Sequence, residues 1–171
     1  DLALSPDGGA ARILAPELVP FISYPYEWSF SQLKDAALAT LRIQMRALTQ
    51  GHTLKDASAY NIQFLGGKPV VIDTLSFEPY IEGAPWVAYR QFCQHFLAPL
   101  ALMAKVDIRS NQLLRVHIDG IPLDLASAML PLRARLRPGL MIHLALHARL
   151  QQEHQDTSAS RQTDKRRISR T

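Results

Sequence analysis

A chain of 171 residues is one domain's worth of polypeptide, and at 47% hydrophobic and 20% charged it can bury a core, which excludes wholesale disorder and a second full catalytic domain. Its longest apolar run, Phe96 to Ala104, falls far short of the roughly 20 residues of a spanning helix, and its lone cysteine, Cys93, excludes an intrachain disulfide and a four-thiolate zinc site. Half of the net charge of +4 sits in residues 151–171, where Lys165-Arg166-Arg167 reads as a flexible charged end and not as a nucleic-acid contact.

Residues 1–30 carry Pro6, Pro16, Pro20 and Pro25, which forbid a long helix and leave an edge strand or crossover at Phe21-Ile22-Ser23-Tyr24. Asp1 stands where an initiator Met would, and nothing up to Gly9 has the pattern of a leader, so the chain is expected to be cut from something longer. Ser29 with Gln32 three positions on makes a capping box. Leu33, Ala37, Leu41, Met45 and Leu48 then recur at helical spacing up to a stop at Gly51, which predicts a helix with one apolar stripe. Thr53 to Asn61 is too rich in small and polar residues to assign. Ile62–Leu65 and Pro69–Ile72 are β-prone runs around Gly66-Gly67, the signature of a tight hairpin. Trp86 to about Lys105 reads as a largely buried helix that Pro99 kinks or divides. Two further helices are predicted near 122–136 and 139–152, separated by Arg137-Pro138-Gly139. The fold class is α+β, mainly helical, with a small β-hairpin.

The hairpin has a chemical consequence. A two-residue turn sets Asn61 opposite Ile72 and Tyr60 opposite Asp73. Neighbouring strands lie about 5 Å apart, so the carboxamide of Asn61 and the carboxylate of Asp73 can approach one cation. Asp56, five residues before Asn61, hangs over the same mouth. Two carboxylates and a carboxamide are the hard oxygen ligands and the base that Mg²⁺-assisted phosphoryl transfer requires. Strict alternation puts Asn61 and Asp73 on opposite faces of the ladder, so sharing an ion demands a bend or bulge where the strands end. The plainer reading is that each loop Asp or Asn caps a neighbouring turn through its side chain.

The pattern Asp56-x-x-x-x-Asn61, then a hairpin, then an apolar strand closing on Ile72-Asp73, all behind a long helix, resembles the catalytic loop and metal-binding segment of the protein kinase and aminoglycoside-phosphotransferase-like fold. The resemblance implies a large-lobe fragment of that fold. Residues 1–30 would be a hinge or edge segment left from a missing small lobe, 31–150 the kinase-like helical lobe with hairpin 62–72, and 151–171 a polar linker. By the same resemblance Asp56 would be the catalytic base, Asn61 and Asp73 would hold Mg²⁺, and Lys55, Tyr24 and Glu27 would lie in the nucleotide and hinge region, the nucleotide being ATP. The departures are specific: Leu54 stands where kinases place a His, and Thr74-Leu75 follows Asp73 in place of Phe-Gly. No Lys precedes Lys34 and no G-x-G-x-x-G occurs, so this chain alone is not expected to be a competent kinase.

Three longer strings, Phe21-Ile-Ser-Tyr-Pro-Tyr-Glu-Trp-Ser29, Leu54-Lys-Asp-Ala-Ser-Ala-Tyr-Asn61 and Pro85-Trp-Val-Ala-Tyr-Arg-Gln-Phe92, are together similar to a bacterial family. In that family a kinase-like region precedes a class I S-adenosylmethionine-dependent methyltransferase domain, and some members are labelled nodulation proteins. The resemblance implies a cytoplasmic pseudokinase-like module, a scaffold or substrate-presenting unit, whose partner is the downstream methyltransferase domain of the same polypeptide. S-adenosylmethionine would bind in that domain, since no glycine-rich strand-to-helix turn with a following acidic residue occurs here. The alternative left open is an Mg²⁺-nucleotide phosphotransferase half-site, active only with the missing small lobe.

Other residues have bland and sharp readings side by side. His143 and His147 are spaced for zinc but lack the Glu of H-E-x-x-H and a third ligand, and read as core or surface histidines. Cys93 reads as a small buried hydrophobe, and Trp86, Tyr89 and Phe92 as one core face. His52 suits a helix terminus or proton transfer at Asp56.

Overall fold

The computed structural model of the chain describes residues 16–146, a mainly helical α+β arrangement with two separate two-stranded antiparallel ribbons. Helix α1 spans Phe30–Leu48 and starts where the capping box places it. The Gln32 N–H donates to Ser29 Oγ at 3.3 Å and the Ser29 N–H to Gln32 Oε1 at 2.9 Å, which satisfies two otherwise orphaned donors.

The buried face of α1 is not the predicted one. Leu33, Ala36, Ala37, Thr40, Gln44 and Ala47 pack inward, whereas Met45 is 68% and Leu48 39% exposed. Helical periodicity explains the difference: each stride of four over-rotates by about 40°, so a row stepped from Leu33 to Met45 has drifted by about 120°, whereas mixed strides of three and four stay on one face. Gln44, polar and buried, is accommodated because its amide bonds Thr53 Oγ1 and accepts from the Leu54 N–H at 2.8 Å.

After Gly51, at φ +71°, strand β1 (His52–Leu54) leads through a loop to β2 (Ile62–Leu65), β3 (Lys68–Val71) and β4 (Phe77–Pro79). β2 and β3 form the expected hairpin, with Leu65 opposite Lys68 and Ile62 opposite Val71. Gly66 and Gly67 take φ of +56° and +76°, the left-handed pair that a two-residue turn of this twist needs. The Ile72 N–H donates to the Asn61 carbonyl at 2.9 Å, so pairing runs on to Asn61 and Ile72. β1 pairs with β4, and α1 packs on both β1 and β3, which fixes the two ribbons relative to one helix.

The expected edge strand at Phe21–Tyr24 does not form. The side-chain amide of Gln63 takes the place of a ladder, accepting from the Ser23 N–H and donating to its carbonyl, both at 3.0 Å. A tight turn at Pro25–Glu27 follows.

Helix α2 (Tyr89–Phe92) opens into a wide π turn at Cys93–Leu97 and continues as α3 (Ala98–Lys105). Pro99 has no N–H to return to the preceding turn, and the helix widens just before it, the Ala98 N–H reaching the Cys93 carbonyl. A 3₁₀ turn at Ile108–Gln112 leads into α4 (Leu113–Val116). The single helix predicted near 122–136 is two, α5 (Leu123–Met129) and α6 (Leu132–Arg135). Pro131 holds Leu130 extended, at φ −68° and ψ 137°, and breaks it. α7 (Pro138–Leu140) and a π turn at Met141–Leu146 end the described chain; the rest of the helix predicted to 152, with His147, lies outside it, as do the readings of 151–171.

Two apolar clusters meet at the α2–α3 run. One holds Leu102, Leu114, Ile121, Leu123 and Leu144, and the other sets Trp28, Leu33, Ile62, Phe96 and Met103 between α1, the hairpin and α3. No helix among the described residues is long and apolar enough to cross a membrane.

Candidate functional site

The end of β2, the end of β3 and the approach to β4 converge on one buried hydroxyl. Beyond Ile72 the chain leaves the ladder and turns back through Asp73–Ser76. Asp73 closes that turn by accepting the Leu75 N–H on Oδ1 at 2.9 Å. Ser76, 2% exposed, donates its hydroxyl to Asp73 Oδ2 at 2.5 Å and receives Asn61 Nδ2 at 3.4 Å, while its carbonyl accepts the Lys55 N–H at 2.9 Å. Asn61 and Asp73 are thus linked through Ser76, with no hydrogen bond to each other among the described residues. The Ser76 hydroxyl, the Leu75 N–H and the positive charge of Lys55 hold the Asp73 carboxyl below the usual carboxylate range.

Asp56 is placed differently. Its Oδ1 accepts the Ser58 N–H at 2.9 Å, a local turn closure, and it makes no hydrogen bond to Asn61, Ser76 or Asp73 among the described residues. Its loop is pinned from outside by Gln91, whose Oε1 accepts the Ala57 N–H at 2.7 Å. The charge of Asp56 is felt by His95, a buried imidazole that sequence reasoning passed over. Burial lowers the His95 pKa to about 4, against the opposing pull of Asp56 and Asp119, and its Nδ1 has no hydrogen-bond partner among the described residues. The Tyr60 ring meets His95 edge-on at 6.1 Å, and its hydroxyl donates to the Leu114 carbonyl at 3.1 Å. Gly120, at φ +93°, allows the close approach, since a Cβ there would stand 2.6 Å from Gln94 Cβ and 3.0 Å from His95 Cδ2.

Tyr24 and Glu27 form a separate local group. Glu27 Oε2 accepts the Tyr24 N–H at 2.8 Å, and the Tyr24 ring stacks on Tyr26 at 5.4 Å with the Arg115 guanidinium 5.9 Å from the Tyr26 ring. Neither residue bonds to the Asn61, Ser76 and Asp73 group among the described residues. Cys93 is buried in the core, which pushes its thiol pKa up. Trp86 precedes α2 but still packs with Tyr89 and Phe92, and its Nε1–H donates to the Leu54 carbonyl at 2.7 Å. The Tyr89 hydroxyl bonds His143 Nδ1. No group of three His, Cys, Asp or Glu side chains suited to a metal occurs among the described residues. His52 opens β1, with Nδ1 on the Gln50 carbonyl.

Ser76 is the member that sequence reasoning missed. The available signal was its spacing, a serine three residues after an Asp where a short turn had to form.

The chain is similar to nodulation protein NoeA. The two are 43% identical over 144 residues, NoeA being the protein of Rhizobium meliloti (strain 1021). The match takes in 84% of this chain but 30% of NoeA, so the chain spans less than a third of its relative's length. A continuous stretch of that size within this chain always includes residues 28–144, so Asn61, Asp73, Ser76 and His95 fall in the part that resembles NoeA. No family model matches the chain, and no solved structure does.

Proposed function

We propose that this chain is a kinase-like, non-catalytic accessory module, a scaffold or substrate-presenting unit for an S-adenosylmethionine-dependent methyltransferase domain in the same polypeptide. One observation carries the non-catalytic part: both oxygens of the Asp73 carboxylate accept donors of the chain itself, and the Asn61, Ser76 and Asp73 bonds tie the ends of both ribbons together. An acid so engaged serves the fold. The attachment to a methyltransferase rests on the three similar strings and on the length of NoeA beyond the matched stretch.

A second reading draws on the same juxtaposition. The Asn61 carboxamide oxygen accepts no hydrogen bond among the described residues, and Asp73 is held ionised. One carboxylate and one carboxamide oxygen suit Mg²⁺ chemically, and Asn61 and Asp73 would hold the ion with water completing its shell. When bound, Mg²⁺ would neutralise charge on the phosphates of ATP, leaving Asp56 as the base and the missing small lobe to grip the nucleotide. Thermal denaturation of the full-length protein separates the two readings. The accessory module predicts a higher Tm with S-adenosylmethionine and no change with millimolar Mg²⁺-ATP. A rise with Mg²⁺-ATP that is lost in Asp73→Ala overturns it in favour of the half-site.

A further inference from the structure

The exposed side of α1 carries a seam left uncovered among the described residues. Leu38, Leu41, Met45 and Leu48 step by three, four and three residues, the spacing with which one helix presents side chains to another. Met45 is 68% exposed, and Leu38 and Leu48 39% each, while Leu41 is half-buried. The basic residues of α1, Lys34, Arg42 and Arg46, are all exposed, and none is in an ion pair among the described residues. Asp35 is the helix's one acid.

We propose that this seam is the docking site of an acidic amphipathic helix belonging to the same polypeptide outside these 171 residues. Charge selects the occupant. In a symmetric pair of α1 helices centred on the seam, Arg42 of one copy would come within a turn of Arg42 of the other, and like charges so placed repel. A helix with Glu or Asp flanking its apolar row would pair with Lys34 and Arg42 instead. Four aliphatic side chains, three exposed and one half-buried, fill the holes of a facing helix but form too narrow a row to insert far into a bilayer. Length selects the source: the relative extends to more than three times the matched stretch, and a tethered segment needs only modest intrinsic affinity because its effective concentration is high.

The test uses the full-length protein carrying Met45→Cys, with Leu48→Cys as a second reporter on the seam. Alkylation of the introduced thiol by iodoacetamide is followed by peptide mass spectrometry in buffer and after unfolding in urea. Docking predicts a native rate slower than the unfolded rate by about tenfold or more, with most of that protection lost when Lys34→Glu and Arg42→Glu are added. A native rate close to the unfolded rate at both positions overturns the proposal. So does protection that grows with protein concentration, which identifies a second copy, or protection that requires anionic phospholipid vesicles, which identifies a membrane surface. Protection unmoved by the charge reversals overturns the acidic occupant.

Discussion

Replacing Ser76 by Ala removes the hydroxyl on which the two ribbons converge, and the structure sets the size of the effect. The bond to Asp73 Oδ2 is short and charge-assisted, a class that contributes about 1.5–3 kcal/mol when well shielded. Asp73 is partly exposed, so water recovers part of the loss, and the long contact from Asn61 Nδ2 adds only tenths. The expected destabilisation is about 1–2 kcal/mol, or about 2–8 °C in Tm for a chain of this size. The effect has a defined pH dependence. Because the folded-state pKa of Asp73 is depressed, its contribution is fully present above the ordinary carboxylate pKa and lost as pH falls through the lower folded value. Denaturant unfolding of wild type and Ser76→Ala should therefore differ by a constant amount between about pH 5 and 7 and converge below about pH 4. A variant as stable as wild type at pH 7, or a gap that persists undiminished in acid, would refute the role assigned to this hydroxyl.

Further outcomes follow from the same structure. Gly120→Ala is expected to lose about 3 kcal/mol or more, because the new methyl meets Gln94 and His95 at sub-van der Waals distance with φ at +93°; urea unfolding measures it, and a neutral result contradicts the close approach. His95 has a folded-state pKa of about 4, so unfolding takes up a proton as pH drops from about 6.5 to 4 and wild-type stability declines across that window; His95→Gln should flatten that decline in a pH series of unfolding free energies. Gln63→Leu deletes both bonds to Ser23, and limited proteolysis should then cut next to the exposed Phe21 faster than in wild type, with an unchanged rate counting against the clamp.

Local chemistry made some elements legible in advance. The capping box at Ser29 and the paired glycines at 66 and 67 specify conformations that few other residues favour, and both appear where expected, the hairpin with its register. What sequence could not show was decided at long range. β1 and β4 are three residues each and exist because they pair across the loop that carries Asp56 and Asn61. The segment around Ser23 satisfies its backbone with a glutamine forty residues away and so needs no strand. The apolar pattern runs on through Pro131, but the proline imposes an extended conformation on Leu130 and so divides the helix. At the site, the hairpin register puts Asn61 and Asp73 at the same end, where each bonds Ser76. The hydroxyl between them and the separate engagement of Asp56 with Ser58 depend on how the chain turns after β3, which no periodicity encodes.

On the reading proposed above, Asn61, Ser76 and Asp73 form a clasp of the fold and not a cation site. Mn²⁺, a spectroscopic surrogate for Mg²⁺, tests it most directly when added to the full-length protein and followed by electron paramagnetic resonance of the free ion. The clasp predicts that the free-ion signal of wild type and of Asp73→Asn is the same up to millimolar metal. One equivalent of Mn²⁺ bound below millimolar concentration in wild type, and lost in Asp73→Asn, would contradict the account.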